Sequence, residues 1–242
     1  MNKRKLLGQH MLDDTDILHR MLDCIELKRD DVVFEIGTGN GNLTAELCKR
    51  AKRVISCEID RELGRKAEDT LDKYNNLLLV NGDGFKTDYD FDVFVSNLPY
   101  SKSRSTVEWL AERDFKKAFV MVQKEFAAKL LASNGGNYRA VSVLAQYCFD
   151  IEPLMQVGKN SFSPKPKVDS VLLKMTKRRK VGKDVIRALK LLFSFRGKKV
   201  RTAARKLGIC ESLNDKRVEG LSPEEAVRLA EIIAQERLLQ TI

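Results

Sequence analysis

The apolar positions of this chain switch between short continuous runs and a spacing near 3.6 residues. That is the alternation left by strands and helices following one another in βαβ units. Val32-Val33-Phe34-Glu35-Ile36, Arg53-Val54-Ile55-Ser56-Cys57, Leu77-Leu78-Leu79-Val80, Phe91 to Ser96, Ala118 to Val122 and Val171 to Met175 read as strands. They are rich in β-branched and aromatic residues and lack the polar alternation of a half-solvated sheet, so burial on both faces is expected. Between them come helical stretches. Ile17, Leu18, Met21, Leu22 and Ile25 share one face after the starters Asp13-Asp14-Thr15-Asp16. Further helices are expected from Asn42, near Ser105 and after Gln123, with helical or mixed structure over Tyr138–Phe149 and a strand around Glu152–Val157. The fold class that follows is α/β, a Rossmann-like sheet with helices on both faces.

From Thr176 onward the pattern changes. Lys177, Arg178, Arg179, Lys180, Lys183, Arg187, Lys190, Arg196, Lys198, Lys199, Arg201, Arg205 and Lys206 crowd into a span whose sole acid is Asp184. They share helices with Leu189, Leu192, Phe193 and Leu207, so they decorate a folded unit and not a tail. The closing helix carries a capping box, Ser222 with Glu225, and Pro223 at its first position. The expected organisation is a catalytic domain over 1–176 and a small basic all-helical domain over 177–242.

Composition narrows the function. A length of 242 residues with 43% hydrophobic content suffices for one α/β domain and a small appendix. A net charge of +10 points to a polyanionic partner. Five cysteines without a C-x-x-C pair, beside two histidines, give no metal constellation and fit reduced thiols in a cytoplasmic protein. The basic start Met1–Lys5 precedes no apolar run, and no stretch approaches the roughly 20 apolar residues of a membrane span.

The candidate chemistry lies at the strand ends. The first strand runs into Gly37-Thr38-Gly39-Asn40-Gly41 and then a helix start, a corner whose bare backbone and free N–H groups suit a nucleotide. A dinucleotide fingerprint needs glycine at the position of Asn42, so a dehydrogenase is disfavoured and the spacing fits an S-adenosyl-L-methionine (SAM) enzyme. Glu58 closes the second strand, placed to accept ribose hydroxyls, while Asp60 suits the cap of the next helix. Asp83 follows the third strand, able to accept from an adenine amine. The stretch ending Asn97-Leu98-Pro99-Tyr100 stops its strand abruptly, because proline cannot donate to a ladder. There the Asn97 side-chain oxygen and the Leu98 carbonyl suit an exocyclic amine, and Tyr100 suits a base face. Phe162, before a loop stiffened by Pro164 and Pro166, is either a second stacking ring or a core residue. Gln9 and His10 add polar tips near the N-terminus.

Together Gly8-Gln9-His10-Met11-Leu12, Glu35 to Thr44, Glu58-Ile59-Asp60, Gly82-Asp83, Asn97-Leu98-Pro99-Tyr100, Val122 to Glu125 and Phe162-x-Pro164-x-Pro166-x-Val168-Asp169-Ser170 span nearly the whole chain. They resemble the KsgA/RsmA family of small-subunit ribosomal RNA adenine dimethyltransferases, and His10 with the short helical domain resembles archaeal members. The resemblance implies SAM-dependent dimethylation of N6 on two adjacent adenosines in the last hairpin loop of small-subunit rRNA, within the immature subunit. It implies cofactor contacts at His10, Leu12, Gly37, Glu58, Asp83 and Asn97, to which the glycine corner and the N-terminal motif add Gly39 and Gln9. It places Asn97, Leu98, Tyr100 and Phe162 around the target base. No metal, no membrane and a monomer are expected.

Two residues depart from the family pattern: Met11 stands for the usual phenylalanine and Thr38 for the usual proline. Flexible Met can fill the same space, whereas Thr38 removes a backbone lock. The alternatives are the related large-subunit methyltransferase of the antibiotic-resistance type and a non-enzymatic ribosome assembly factor.

Overall fold

The structure, a computed structural model, describes residues 10–209 and 215–239. Gln9, Gly8 and the basic start lie outside the described residues.

Seven strands form the central sheet: β2 (Val32–Ile36), β3 (Arg53–Glu58), β4 (Leu77–Asn81), β5 (Val93–Ser96), β6 (Lys117–Gln123), β7 (Phe149–Val157) and β9 (Ser170–Lys177). Their order is β4-β3-β2-β5-β6-β9-β7, parallel from β4 to β6 and antiparallel where β9 joins β6. The chain runs outward from β2 through β3 to β4, then returns to lay β5 on the other side of β2. The order therefore reverses between β2 and β5, where open α/β sheets form a crevice at the carboxyl ends of their strands. Gly37 and Asn97 stand at the two lips of that crevice. Ser96 Oγ donates to the Ile36 carbonyl at 2.8 Å and fixes the two strand ends together.

The absence of polar alternation is explained by burial on both faces. Val33, Val93, Val95, Phe119 and Met121 meet Leu18, Met21, Leu22 and Ile25 of helix α1 (Thr15–Ile25) on one side. On the other, the Phe34 ring stacks on Phe91 at 5.2 Å and tilts against Phe94 at 6.2 Å. At the sheet edge β7 tolerates Pro153, which would break a central strand.

Helices α2 (Asn42–Arg50), α3 (Arg61–Leu71), α4 (Ser103–Ala111), α5 (Lys124–Leu131) and α6 (Ala140–Cys148) intervene in the order expected. The strand expected from Phe91 begins at Val93, because the Phe91 ring has turned into the aromatic cluster. A two-stranded pair was not legible: β1 (Met11–Leu12) and β8 (Phe162–Ser163) join residues about 150 positions apart, with Leu12 opposite Phe162.

The chain forms two compact units. The first holds the described residues through Thr106, with Asp114–Ala127 and Ile151–Lys177. The second takes Val107–Arg113, Ala128–Asp150 and the described residues from Arg178 onward. A composition shift thus marks the last segment of the second unit, which also draws α6 into its core. There the Tyr138 hydroxyl donates to the Leu221 carbonyl at 2.9 Å and its ring meets Phe193 edge-on. Helices α7 (Lys183–Ser194), α8 (Val200–Lys206) and α9 (Pro223–Leu239) complete it. The capping box forms as read, with Ser222 N–H donating to Glu225 Oε2 at 2.9 Å and Glu225 N–H to Ser222 Oγ at 3.2 Å.

The basic span is less bare than its sequence reads. Acids from elsewhere in the second unit meet it: Asp150 on Arg178, Glu224 on Arg179, Glu108 on Lys190 at 2.6 Å, and Asp215 on both Lys199 and Arg201. Exposed pairs of this kind contribute about 0–1 kcal/mol each to stability, but they reduce the charge offered to a partner.

Candidate active site

The glycine corner between β2 and α2 is held open by backbone that L side chains rarely adopt. Gly37 has φ 93° and Gly39 φ 59°, so both present Cα surface without a side chain to the crevice. The Gly37 N–H donates to the Cys57 carbonyl at 2.8 Å, tying the corner to β3. The Gly39 N–H donates to Glu58 Oε2 at 2.9 Å, and the other carboxylate oxygen accepts from Asp60 N–H at 2.9 Å. Glu58 is therefore 3% exposed and locked in orientation, with lone pairs left on both oxygens for further donors. Asp60 also caps α3, accepting from Glu62 N–H at 2.9 Å as its position implied. Asp83 ends the β4 loop and caps a short turn through Phe85 N–H at 3.1 Å.

Across the crevice, Asn97 Nδ2 donates to the His10 carbonyl at 3.3 Å. That bond occupies the donor end of the amide and leaves Oδ1 as the group able to accept an amine proton. The His10 ring stacks on Tyr100 at 5.3 Å, and its Nδ1 bonds the Pro164 carbonyl at 2.5 Å. The Tyr100 hydroxyl pairs with Ser170 Oγ at 2.6 Å, and burial raises the phenol above its usual pKa. Three distant segments thus brace one another around Asn97.

A cavity of about 150 Å³ fills the crevice. His10, Leu12, Gly37, Gly39, Glu58, Asp83, Asn97 and Leu98 all line it. Tyr100 and Phe162 are not among its lining residues. Phe162 is 4% exposed and packs with Leu18, Met21 and Leu172, because the pairing of β8 with β1 turns its ring into the core. Of the two readings of Phe162 in the sequence, the core contact is the one this conformation displays.

Residues that sequence reasoning missed complete the walls. Ile59 is 66% exposed yet lines the cavity beside Glu58. Its signal was an aliphatic residue directly after the acid that closes β3. Met11 lines the cavity too, its Cε 3.8 Å from where a Cβ on Gly39 would stand, so it does fill space beside the corner. Glu35 lies beneath and is fully buried; desolvation pushes its carboxyl up to about 7, against the Ser56 and Thr44 hydrogen bonds, and nearby Glu58 adds to the rise. An acid inside an apolar strand run was the signal for it. Burial also pushes Cys48 up to about 12 and Cys57 up to about 11, so neither is a reactive thiolate.

The donor set fits a nucleoside carrying a polar sugar. Carboxylates stand at the ends of the neighbouring strands β3 and β4, the glycine corner lies beside them at the end of β2, and Leu12, Met11, Ile59 and Leu63 supply apolar walls. No group of three or more His, Cys, Asp or Glu side chains able to hold a metal occurs among the described residues. None of the described helices is long and apolar enough to cross a membrane.

A family model described as "Ribosomal RNA adenine dimethylase" matches residues 1–235. A relative from Thermotoga neapolitana, "Ribosomal RNA small subunit methyltransferase A", is 39% identical, the alignment covering 95% of this chain and 91% of that one. One from Pyrococcus abyssi, "Probable ribosomal RNA small subunit methyltransferase A", is 35% identical over 96% of this chain and 93% of its own length. Among solved structures, a dimethyladenosine transferase from Plasmodium falciparum superposes with a TM-score of 0.79 at 26% identity, covering 94% of this chain and 98% of that one. The 23S rRNA methyltransferase ErmE gives 0.67 at 25% identity, covering 92% and 99%.

Proposed function

Because the chain belongs to the ribosomal RNA adenine dimethylase family and is therefore a methyltransferase, we propose that it uses SAM to dimethylate N6 of two adjacent adenosines in the 3′-terminal hairpin loop of small-subunit rRNA. The observation that carries this reading is the convergence of Glu58, Asp83 and Asn97 on one cavity at the switch point of the sheet.

In this reading SAM supplies an electrophilic methyl group when bound. Glu58 accepts the ribose hydroxyls, its two oxygens already aimed by Gly39 and Asp60. Asp83 accepts the cofactor's adenine amine, and Gly37 lets the chain lie close. Asn97 Oδ1 and the Leu98 carbonyl accept from the target amine, whose lone pair is otherwise delocalised into the ring. Accepting both N–H groups favours a pyramidal nitrogen with a localised pair. Asn97 acts mainly in the transition state, because its orientation is built in before reaction. The methylated nitrogen becomes acidic and sheds its proton to solvent, so no side chain of tuned pKa is required.

The target adenosine must leave its stack to reach Asn97. Tyr100 is the ring positioned beside that residue, held by Ser170 and His10. We assign Phe162 to the same clamp; it is packed inward here, so its part in stacking requires the ring to turn toward the base. The second unit supplies affinity for the RNA backbone through its exposed lysines and arginines. The similarity to ErmE favours large-subunit rRNA as the second reading of the substrate. Incubating the chain with labelled SAM and either unmethylated small subunits or naked large-subunit rRNA, then mapping the labelled nucleotides, decides between them. Two dimethyladenosines in the small-subunit hairpin are expected; label confined to large-subunit rRNA refutes the assignment.

A further inference from the structure

Beneath the cavity runs a chain of side-chain hydrogen bonds that the proposed transfer does not use. Thr44 Oγ1 donates to Glu35 Oε2 at 2.6 Å, and Ser56 Oγ donates to the same oxygen at 2.6 Å. Thr38 Oγ1 lies 2.6 Å from Ser56 Oγ. Since the Ser56 proton is committed to Glu35, Thr38 is the donor in that last bond. Thr44, Ser56 and Glu35 are fully buried and Thr38 is 4% exposed, so none of these bonds competes with water. The chain joins four elements: α2 through Thr44, β2 through Glu35, β3 through Ser56 and the glycine corner through Thr38.

From these contacts we propose that Thr38 and Ser56 are positioning residues for the nucleoside pocket, anchoring the glycine corner to Glu35 and thereby setting the carboxylate of Glu58. The path is continuous. Thr38 sits between two glycines of positive φ, whose backbone has little stiffness of its own. Its carbonyl accepts from Gly41 N–H at 2.9 Å, and its hydroxyl ties it sideways to β3. With both ends of Thr38 fixed, the plane of the following amide is fixed. That amide is the Gly39 N–H that holds Glu58 Oε2. Loss of the Thr38 hydroxyl frees the corner to rock about its glycines, and Glu58 moves with it. The lock on this corner is therefore a side-chain hydroxyl, anchored through Ser56 on β3 to the buried carboxyl of Glu35 on β2.

This inference rests on the proposed SAM pocket, and its test separates the two. SAM binding is measured by calorimetry on the full chain, well below the melting temperature, for the parent, Thr38→Val, Thr38→Ser, Ser56→Ala and the Thr38→Val/Ser56→Ala pair. Thr38→Val preserves shape and removes one buried hydrogen bond, so affinity should fall about 3–10-fold, the equivalent of one such bond. Thr38→Ser, which keeps the hydroxyl, should return to within about twofold of the parent. The double variant should lose less than the product of the single losses, because both residues act through one chain. In turnover the loss should appear in KM for SAM more than in kcat. If Thr38→Val fails to fold, Ser56→Ala carries the same measurement. Parental affinity in Thr38→Val, or a loss that Thr38→Ser does not recover, overturns the inference while leaving the pocket assigned. A parental chain that binds no SAM overturns the pocket assignment, and this inference with it.

Discussion

Replacing Glu35 by Gln should change how stability depends on pH. Glu35 is fully buried, and its folded-state pKa is about 7 against an ordinary 4.5. The groups that face it are Glu58, whose negative charge adds to the rise, and the thiols Cys48 and Cys57, which stay uncharged across this range. With the folded pKa raised, the native state holds a proton that the unfolded chain has already released between these two values. Stability from this group is complete below about pH 4.5, declines as pH rises, and levels off above about pH 7. The gap of about 2.5 pKa units, at roughly 1.4 kcal/mol each, corresponds to roughly 3 kcal/mol in full, of which about 2.5 kcal/mol falls between about pH 5 and about pH 8. Glutamine cannot ionise, so the variant lacks this decline. Its amide nitrogen replaces Oε1, which has no hydrogen-bond partner, and that mismatch costs about 1–3 kcal/mol at every pH. Glu35→Gln should thus be the weaker protein at about pH 5 and draw level with or pass the parent at about pH 8. Urea unfolding followed by circular dichroism at both values measures the gap. Subtracting variant from parent cancels the groups whose pKa values are lowered, such as Asp14, Asp92 and Asp215. A gap that stays constant within about 0.5 kcal/mol would show that Glu35 is ionised in the fold across this range and refute the raised pKa.

Glu58→Ala should weaken SAM binding by roughly 1.5–3 kcal/mol, the range of a hydrogen bond to a charged group; unchanged affinity by calorimetry would remove Glu58 from the pocket. Asn97→Ala should depress kcat by at least tenfold while RNA affinity, read by filter binding, stays near parental; equal losses in both would place Asn97 in ground-state binding. Phe162→Leu keeps an apolar core side chain of somewhat smaller volume and removes the ring, so a fold retained by circular dichroism combined with loss of dimethyladenosine in mass spectra supports stacking, whereas parental product at the parental rate leaves Phe162 a core residue. Reversing Lys183, Lys198 and Arg205 to Glu, exposed residues outside the ion pairs described above, should flatten the salt dependence of RNA binding by about 0.7–0.9 in log–log slope for each phosphate no longer neutralised; an unaltered slope would locate the phosphate-binding residues elsewhere.

The sheet and the cavity at the carboxyl ends of its strands were legible because they depend on local signals. Apolar runs broken by glycine and proline located every parallel strand, and an acid or amide just past a strand end named Glu58, Asp83 and Asn97. What escaped detection depended on contacts between distant segments. No local pattern marks Met11–Leu12 as a strand, since its partner lies at Phe162–Ser163 and neither dipeptide has strand length alone. The same pairing decides which way the Phe162 ring faces, so the sequence left both readings open. The second unit shows the limit from the other side. Its lysines and arginines were counted correctly, but Asp150, Glu108 and Asp215, which neutralise some of them, arrive from other segments.

Thr38 was legible only as a loss, a position where the backbone lock of a proline is missing. As an isolated turn, the glycine corner would have to draw its stiffness from its own residues. In the fold the corner lies over β3, and Ser56, an unremarkable polar residue in an apolar strand, turns its hydroxyl up to meet Thr38. Proline stiffens a turn by fixing φ and needs no partner. A hydroxyl stiffens it only if an acceptor is already immobile, and here the acceptor is immobile because Glu35 holds it. Thr38, Ser56 and Glu35 therefore depend on one another. Removing the acceptor should make Thr38 worse than a proline, while installing proline should make Ser56 and Glu35 dispensable to the pocket.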